Sequence, residues 1–377
     1  MLTPGDMPWD VFPLDTWARL HKRIATQLGV GALRPGAAAG YMPLRQELAR
    51  RLGDTLGRSI DAAHILILPS RAAALRLVAG ALLDDAREAW VESPGDSLHR
   101  AAILGAIGTP IGFRADPTNI QVALARGVVH TARFALVSLG ASTPIGARFC
   151  NARRAALHHW ASGVDGWFVE DDLGGNLLLD PTITAAGSHP RSVLVGSFGK
   201  IAAPGIDLAY VVAPPAVAEQ LLAELMLSGN DTLTLHQAVL HGFITSGALD
   251  AHLDRLRREA TVRFDAFCSG ITRYLEPGRS LRADALTFTA TIDLEHAAAE
   301  RELVASCRVA GFGVMRLSDF CDPALPSFGL VLGFGGASAA RLETEAARLG
   351  MLLRARAVAE KRADRSAPAH MNAFAAE

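Results

Sequence analysis

Short apolar runs alternate with stretches of helical periodicity over much of the chain. The runs at Ile65–Leu68, Glu88–Glu92, Thr109–Phe113, Phe134–Ser138, Trp167–Asp171, Ser192–Gly196 and Leu208–Val212 have the length and apolar content of buried strands. Between and after them, Ala72–Leu83, His99–Leu104, Asn151–Ser162, Ala216–Leu227 and Leu249–Tyr274 read as helices, and L-R-Q-E-L-A-R-R at 44–51 begins the series. Such alternation predicts an α/β fold with a mostly parallel sheet and helices on both of its faces. A second, α+β unit follows, with strands near Leu286–Asp293, Phe312–Met315 and Gly329–Phe334 and helices at Glu300–Ala310 and Ala339–Leu353. Residues 1–45 are rich in Pro and Gly around a short helical stretch at Thr16–Leu28, and read as an arm lying on another surface. The expected organisation is therefore an arm (1–45), a large domain (46–248), a small domain (249–358) and a disordered tail (359–377).

Composition narrows the class. The chain has 377 residues, 50% hydrophobic and 20% charged, with a formal net charge of −1 and no basic block. That is the profile of a globular enzyme, and it implies neither nucleic acid nor an anionic membrane as partner. The four cysteines, Cys150, Cys268, Cys307 and Cys321, show no CxxC spacing, which argues against a zinc site or a disulfide framework and fits a reducing cytoplasm. Met1–Asp10 lacks the basic and apolar regions of a signal peptide, and no apolar run is long enough to span a bilayer.

The candidate chemistry lies at two strand ends. In Val193-Leu194-Val195-Gly196-Ser197-Phe198-Gly199-Lys200 a buried strand gives way to small residues and then presents one lysine. Open α/β sheets bind ligands at the carboxyl ends of their strands, and a desolvated lysine there is able to form a Schiff base with a carbonyl cofactor. About thirty residues upstream, Trp167-Phe168-Val169 runs into Glu170-Asp171-Asp172. A carboxylate at a strand end holds a pyridinium nitrogen protonated and makes the ring of pyridoxal phosphate (PLP) an electron sink. Alone, the lysine is equally a surface residue and the acid equally a helix cap. Together they favour PLP.

With these elements in place, the chain resembles the fold-type I PLP-dependent aminotransferases, and among them the aminotransferase-like domain of the MocR/PdxR regulators. The resemblance covers roughly residues 8–355. Its markers run in order from Asp10-Val11-Phe12-Pro13 with Trp17, through Gly40-Tyr41-Met42-Pro43-Leu44-Arg45 and Val91-Glu92-Ser93-Pro94-Gly95, to Pro144-Ile145-Gly146 with Arg153-Arg154. They continue through Glu170-Asp171-Asp172, Gly196-Ser197-Phe198-Gly199-Lys200, Ala209-Tyr210-Val211-Val212-Ala213-Pro214 and Leu330-Val331-Leu332-Gly333-Phe334. The resemblance implies a mostly parallel seven-stranded sheet, a smaller α+β domain, PLP as cofactor and a homodimer. It makes Lys200 the Schiff-base lysine, Asp171 the pyridinium partner and Ser197 a phosphate-binding hydroxyl. Ser70, Arg71 and Ala72 fall on the phosphate loop, and Ser142 or Thr143 would reach the ring hydroxyl. Gly40 and Tyr41 would border the substrate, and Arg316 is placed to approach it. The regulators also carry a winged helix-turn-helix, for which this sequence shows no room, so a stand-alone enzyme-like protein is expected.

Several family positions are altered. Asp96 stands where an aromatic ring stacks on the pyridine, Leu173 replaces a tyrosine, and Asp207 replaces a phosphate-binding arginine. The phosphate loop reads Pro69-Ser70-Arg71-Ala72, and Val331 takes the place of an arginine that grips a substrate carboxylate. A guanidinium at a helix start is a good phosphate ligand, so Arg71 is expected to replace the missing arginine, with Asp207 pairing with it or turning outward. His99 reads as a solvated helix-face residue ahead of the alternative, a replacement for the missing stacking ring. The favoured function is a PLP enzyme acting on an amino compound, aminotransferase-like, with specialised metabolism as one setting for it. The alternative is a catalytically silent scaffold or ligand-binding protein with a degraded cofactor site. A metal- or nucleotide-dependent enzyme has no ligand cluster, P-loop or GxGxxG behind it. An apolar arm around Trp9, Phe12 and Trp17 would expose a patch for a second copy to cover.

Overall fold

The computed structural model describes residues 1–34, 36–83, 85, 87–114, 131–138, 141–148, 151–172, 190–202, 204–228, 233–275 and 279–366. The strands through the first part of the chain are β1 (Ile65–Leu68), β2 (Glu88–Ser93), β3 (Thr109–Arg114), β4 (Phe134–Ser138), β5 (Ala141–Ser142), β6 (Ala147–Arg148), β7 (Trp167–Asp172), β8 (Ser192–Ser197) and β9 (Ala209–Val212). Seven of them form one sheet in the order β1-β9-β8-β7-β4-β2-β3, while β5 and β6 make a separate hairpin. Only β9 runs antiparallel to its neighbours; the remaining pairs are parallel. A second sheet is antiparallel, in the order β10-β11-β13-β12, from β10 (Leu281–Asp284), β11 (Thr289–Leu294), β12 (Met315–Arg316) and β13 (Phe328–Gly333).

The helices are α1 (Leu14–Leu28), α2 (Met42–Leu56), α3 (Arg71–Leu82), α4 (Ser97–Gly105), α5 (Asn151–Val164), α6 (Pro215–Ser228), α7 (Thr234–Thr245), α8 (Ala248–Thr272), α9 (Ala297–Val309) and α10 (Ala339–Ser366). Helices α1–α8 cover the large sheet on both sides, while α9 and α10 pack on the small one, and strand alternation assigns each residue to one side. Leu66, Leu68, Val91, Leu136, Val169 and Val195 share a core with α3, α4 and α6. Ile65, Ile67, Leu194, Tyr210 and Val212 share another with α1, α2, α7 and α8. This parity positions the site: Asp171, two residues beyond Val169, points to the α3/α4 side, and Glu170 and Asp172 point to the other.

Two expectations are corrected, and one element went unread. The aromatic residues of the arm are covered largely by the chain itself. Trp17 is buried in the chain's own core, with Phe12 and Trp17 rings against Phe243, and Trp9 packs on the core of the small sheet. The chain also continues as helix to Ser366, past the start expected for a tail. Finally, α7 is a helix that the sequence pattern concealed. Gln237, Ala238, Val239, Leu240, Gly242, Phe243 and Ile244 are all buried, so it lacks the one-sided periodicity that marks a surface helix.

One joint ties the segment between β12 and β13 to the large sheet. Asp322 Oδ2 accepts from the Gly112 amide and from Arg100 Nη1, each at 2.9 Å. The Asp322 amide donates to Ser93 Oγ at 2.8 Å, and the Gly95 amide to the Phe320 carbonyl at 2.9 Å.

Candidate active site

Two helix starts and two strand ends converge on one buried charge cluster. Helix α3 follows β1 and is capped by Ser70, whose Oγ accepts from the Ala73 amide at 3.1 Å. Helix α4 follows the Pro94-Gly95 turn and is capped by Asp96, whose Oδ1 accepts from the Leu98 amide at 2.8 Å. Ser and Asp belong at these positions because their oxygens satisfy amides that a helix leaves open. The chain is thereby turned so that Arg71, the first residue of α3, and His99, in the first turn of α4, face the end of β7.

Asp171 sits wholly buried at that end. Arg71 Nε lies 2.9 Å from each of its carboxylate oxygens, and Arg71 Nη2 donates to Oδ2 as well. His99 Nε2 is 2.7 Å from Oδ2. An ionised carboxylate only accepts, so this nitrogen carries the hydrogen. His99 Nδ1 is buried without a partner among the described residues. Arg71 Nη2 also reaches Asp96 Oδ2 at 2.8 Å, so one guanidinium bridges two carboxylates.

Burial alone would raise the Asp171 and Asp96 carboxyls, but the charge of Arg71 turns both downward, helped by His99 and by hydrogen bonds. Arg71 is held charged by the same two partners against the cost of its burial. Lys200 keeps some exposed surface, yet burial lowers its pKa. Asp96 and Asp171 oppose that shift, and Arg71 adds to it. All three charged groups therefore act on the lysine.

The expected phosphate side is arranged differently from the expectation. Asp207 neither pairs with Arg71 nor turns away; it accepts from Ser197 Oγ at 3.1 Å, and that oxygen accepts from the Gly199 amide at 3.0 Å. Arg71 is drawn inward by the carboxylates of Asp171 and Asp96, whereas the helix start itself is positive and offers a guanidinium nothing. His99 is likewise not solvated but 1% exposed. The Arg71 and Ala72 amides make no hydrogen bond among the described residues, and Ala72 is exposed. Thr143 Oγ1 is buried with no partner there. The side chain of Ser142 and all of Leu173 lie outside the described residues.

The expected substrate-side residues make no hydrogen bond to this cluster among the described residues. Gly40 has a φ of +96°, and a Cβ there would come within 2.6 Å of the Ile67 Cβ. Next to it, the Tyr41 amide donates to Gln237 Oε1 at 2.7 Å. Arg316 pairs with Asp319 at 2.6 Å on the surface, its side chain 43% exposed. Val331 is buried with Leu317 and Phe320, against Ile145. Sequence reasoning missed the buried hydroxyl of Tyr210, which has no partner among the described residues and whose ring lies over Gly196. Burial, with Asp172 nearby, pushes its pKa well up.

This architecture is that of the fold-type I PLP-dependent transferases. The crystal structure of LysN, the α-aminoadipate aminotransferase of Thermus thermophilus in complex with N-(5'-phosphopyridoxyl)-L-leucine, superposes with a TM-score of 0.85. It is 20% identical in sequence, over 95% of this chain and 93% of that one. Among the curated relatives, the chain is 24% identical over 339 residues to a probable rhizopine catabolism regulatory protein MocR of Rhizobium meliloti, covering 88% of this chain. It is 24% identical over 276 residues to a 2-aminoadipate transaminase of Thermus thermophilus, covering 70% of this chain and 67% of that protein. The chain spans 68% of the length of the MocR protein, and 58% and 48% of two further helix-turn-helix-type regulators. No protein-family model matches it. No helix among the described residues is long and apolar enough to cross a membrane.

Proposed function

We propose that the chain is a PLP-dependent, aminotransferase-like enzyme that acts on a small amino compound, with Lys200 as the covalent anchor and Asp171 as the partner of the ring nitrogen. The observation that carries this is an ionised, wholly buried carboxylate at the end of β7, within reach of the charge of a lysine whose pKa burial lowers. When bound, PLP supplies an electron sink for the carbanion formed beside the substrate nitrogen. The chain's own groups divide the remaining work. Asp171 keeps the ring nitrogen protonated, and His99 fixes the orientation of Asp171. Lys200, neutral at lower pH than a free lysine, serves as nucleophile and then as proton carrier. The open amides of Arg71 and Ala72 offer a helix N-terminus to the phosphate, and the unpartnered Thr143 Oγ1 is available to the ring hydroxyl.

The substrate side supports a specialised substrate. Val331 lies in an apolar cluster, and Arg316 is engaged by Asp319, so neither offers a free guanidinium to a substrate carboxylate. A homodimer and a cytoplasmic location belong to the same reading; the mass in solution tests the first.

A second reading, the catalytically silent scaffold, is favoured by one observation: the guanidinium of Arg71 already stands on Asp171. One experiment separates the two. Purified protein is incubated with PLP, its visible spectrum recorded, and the mixture reduced with borohydride. The enzyme reading expects a visible band and a mass increase on the Lys200 peptide, both lost in Lys200→Ala. Absence of the adduct in wild type would favour the scaffold.

A further inference from the structure

We infer that Arg71 occupies the cation position on Asp171, so that cofactor binding exchanges one buried cation for another and Arg71 sets the cofactor affinity. The inference rests on the PLP reading. A carboxylate as buried as Asp171 requires a cation or several donors, and here it has both. Arg71 presents Nε and Nη2 to the two oxygens in a planar fork, and His99 takes a further position on Oδ2. A carboxylate offers about four lone-pair positions and three donors already stand on this one, so an arriving ring N–H competes with the guanidinium for the same two oxygens.

Arg71 is also held from the far side. Its Nη2 bridges to Asp96, which is itself fixed by the Leu98 amide, so the side chain is anchored at two carboxylates. Asp96 stands where the family resemblance puts a ring that stacks on the pyridine. The guanidinium therefore fills the gap between Asp171 and the position from which a cofactor ring would be covered. A protonated pyridine is a suitable replacement, because it restores one positive charge to Asp171 as the guanidinium leaves. A purely structural ion pair would make no such prediction, since nothing would compete for its carboxylate.

The test measures PLP binding to wild type, Arg71→Ala and Asp96→Asn, by absorbance titration and by the mass of the borohydride-reduced Lys200 peptide. Arg71→Ala removes the competitor and is expected to bind PLP about tenfold tighter or more, the scale of a charge-assisted contact. Because it leaves Asp171 and Asp96 without the cation between them, it is the variant at risk of misfolding. Asp96→Asn keeps a competent helix cap, since Asn caps as well as Asp, and loosens only the second anchor. It is expected to give a smaller gain of the same sign. Unchanged or weaker binding in the folded variants overturns the exchange, and a Lys200 adduct in wild type would leave the functional reading standing. No adduct in any of the three proteins, even at millimolar PLP, overturns both.

Discussion

The floor of the candidate site and its rim are built from different kinds of element, and they differ in what they keep. The floor is strand-borne. Asp171 is registered against Ser138 on one side and Val195 on the other, and Lys200 follows three residues after β8. The rim is borne by helix starts and a loop: Arg71 is the first residue of α3, Asp96 caps α4, and Asp207 lies on the loop before β9. The floor carries the residue types that PLP chemistry uses, whereas each of these three rim positions carries a charge where the resemblance implies something else. A side chain fixed by a parallel ladder is placed by bonds it does not itself make. A side chain at a helix start is free to change identity without moving the sheet. Electronic function and cofactor retention therefore rest on separable parts of this fold.

The sharpest way to break that separation is Asp171→Asn. If the floor supplies the electronics, turnover falls about 100-fold or more, since an amide does not hold a ring nitrogen protonated. The same change strands Arg71 among uncharged neighbours apart from Asp96, and the loss of a buried partner costs about 3–5 kcal/mol. A denaturant titration beside the kinetics reads both effects, and wild-type turnover would remove Asp171 from the floor. His99→Ala acts one step back. It deletes a bond to a charged group worth about 1.5–3 kcal/mol and weakens the hold on the Asp171 carboxylate. Stability should fall by that amount and turnover by less than in Asp171→Asn; an unchanged midpoint would make His99 a bystander. The smallest effect belongs to the rim. Asp207→Asn removes a carboxylate beside the expected phosphate and should tighten PLP about fivefold, for about 1 kcal/mol of relieved repulsion at high dielectric. Weaker binding in this variant would mean that Asp207, through Ser197 Oγ, organises the site.

The sequence disclosed the floor readily and the rim poorly, for a physical reason. Strands such as Val193–Gly196 are buried on both faces and read as continuous apolar runs, and their polar ends are where ligands collect. Arg71 could be placed at a helix start, but its direction depends on Asp96 and Asp171, 25 and 100 residues away in the chain. Only the folded sheet brings those two carboxylates together. His99 reads as a surface residue between Ser97 and Arg100; its partner Asp171 lies 72 residues away in the chain and is brought to it only by the fold. Trp17 misled in the same way, since the residue it packs on, Phe243, belongs to helix α7, whose burial on most sides left no periodicity to read.

The joint at Asp322 has a mechanical meaning. Its four bonds connect the segment before β13 to Ser93, Gly95, Arg100 and Gly112, and the Gly95 peptide immediately precedes Asp96. The segment before β13 and the turn that carries Asp96 share one set of bonds and are therefore positioned together. Asp96 in turn grips Arg71, so the placement of that guanidinium rests on the small-sheet side of the chain as well as on the large sheet.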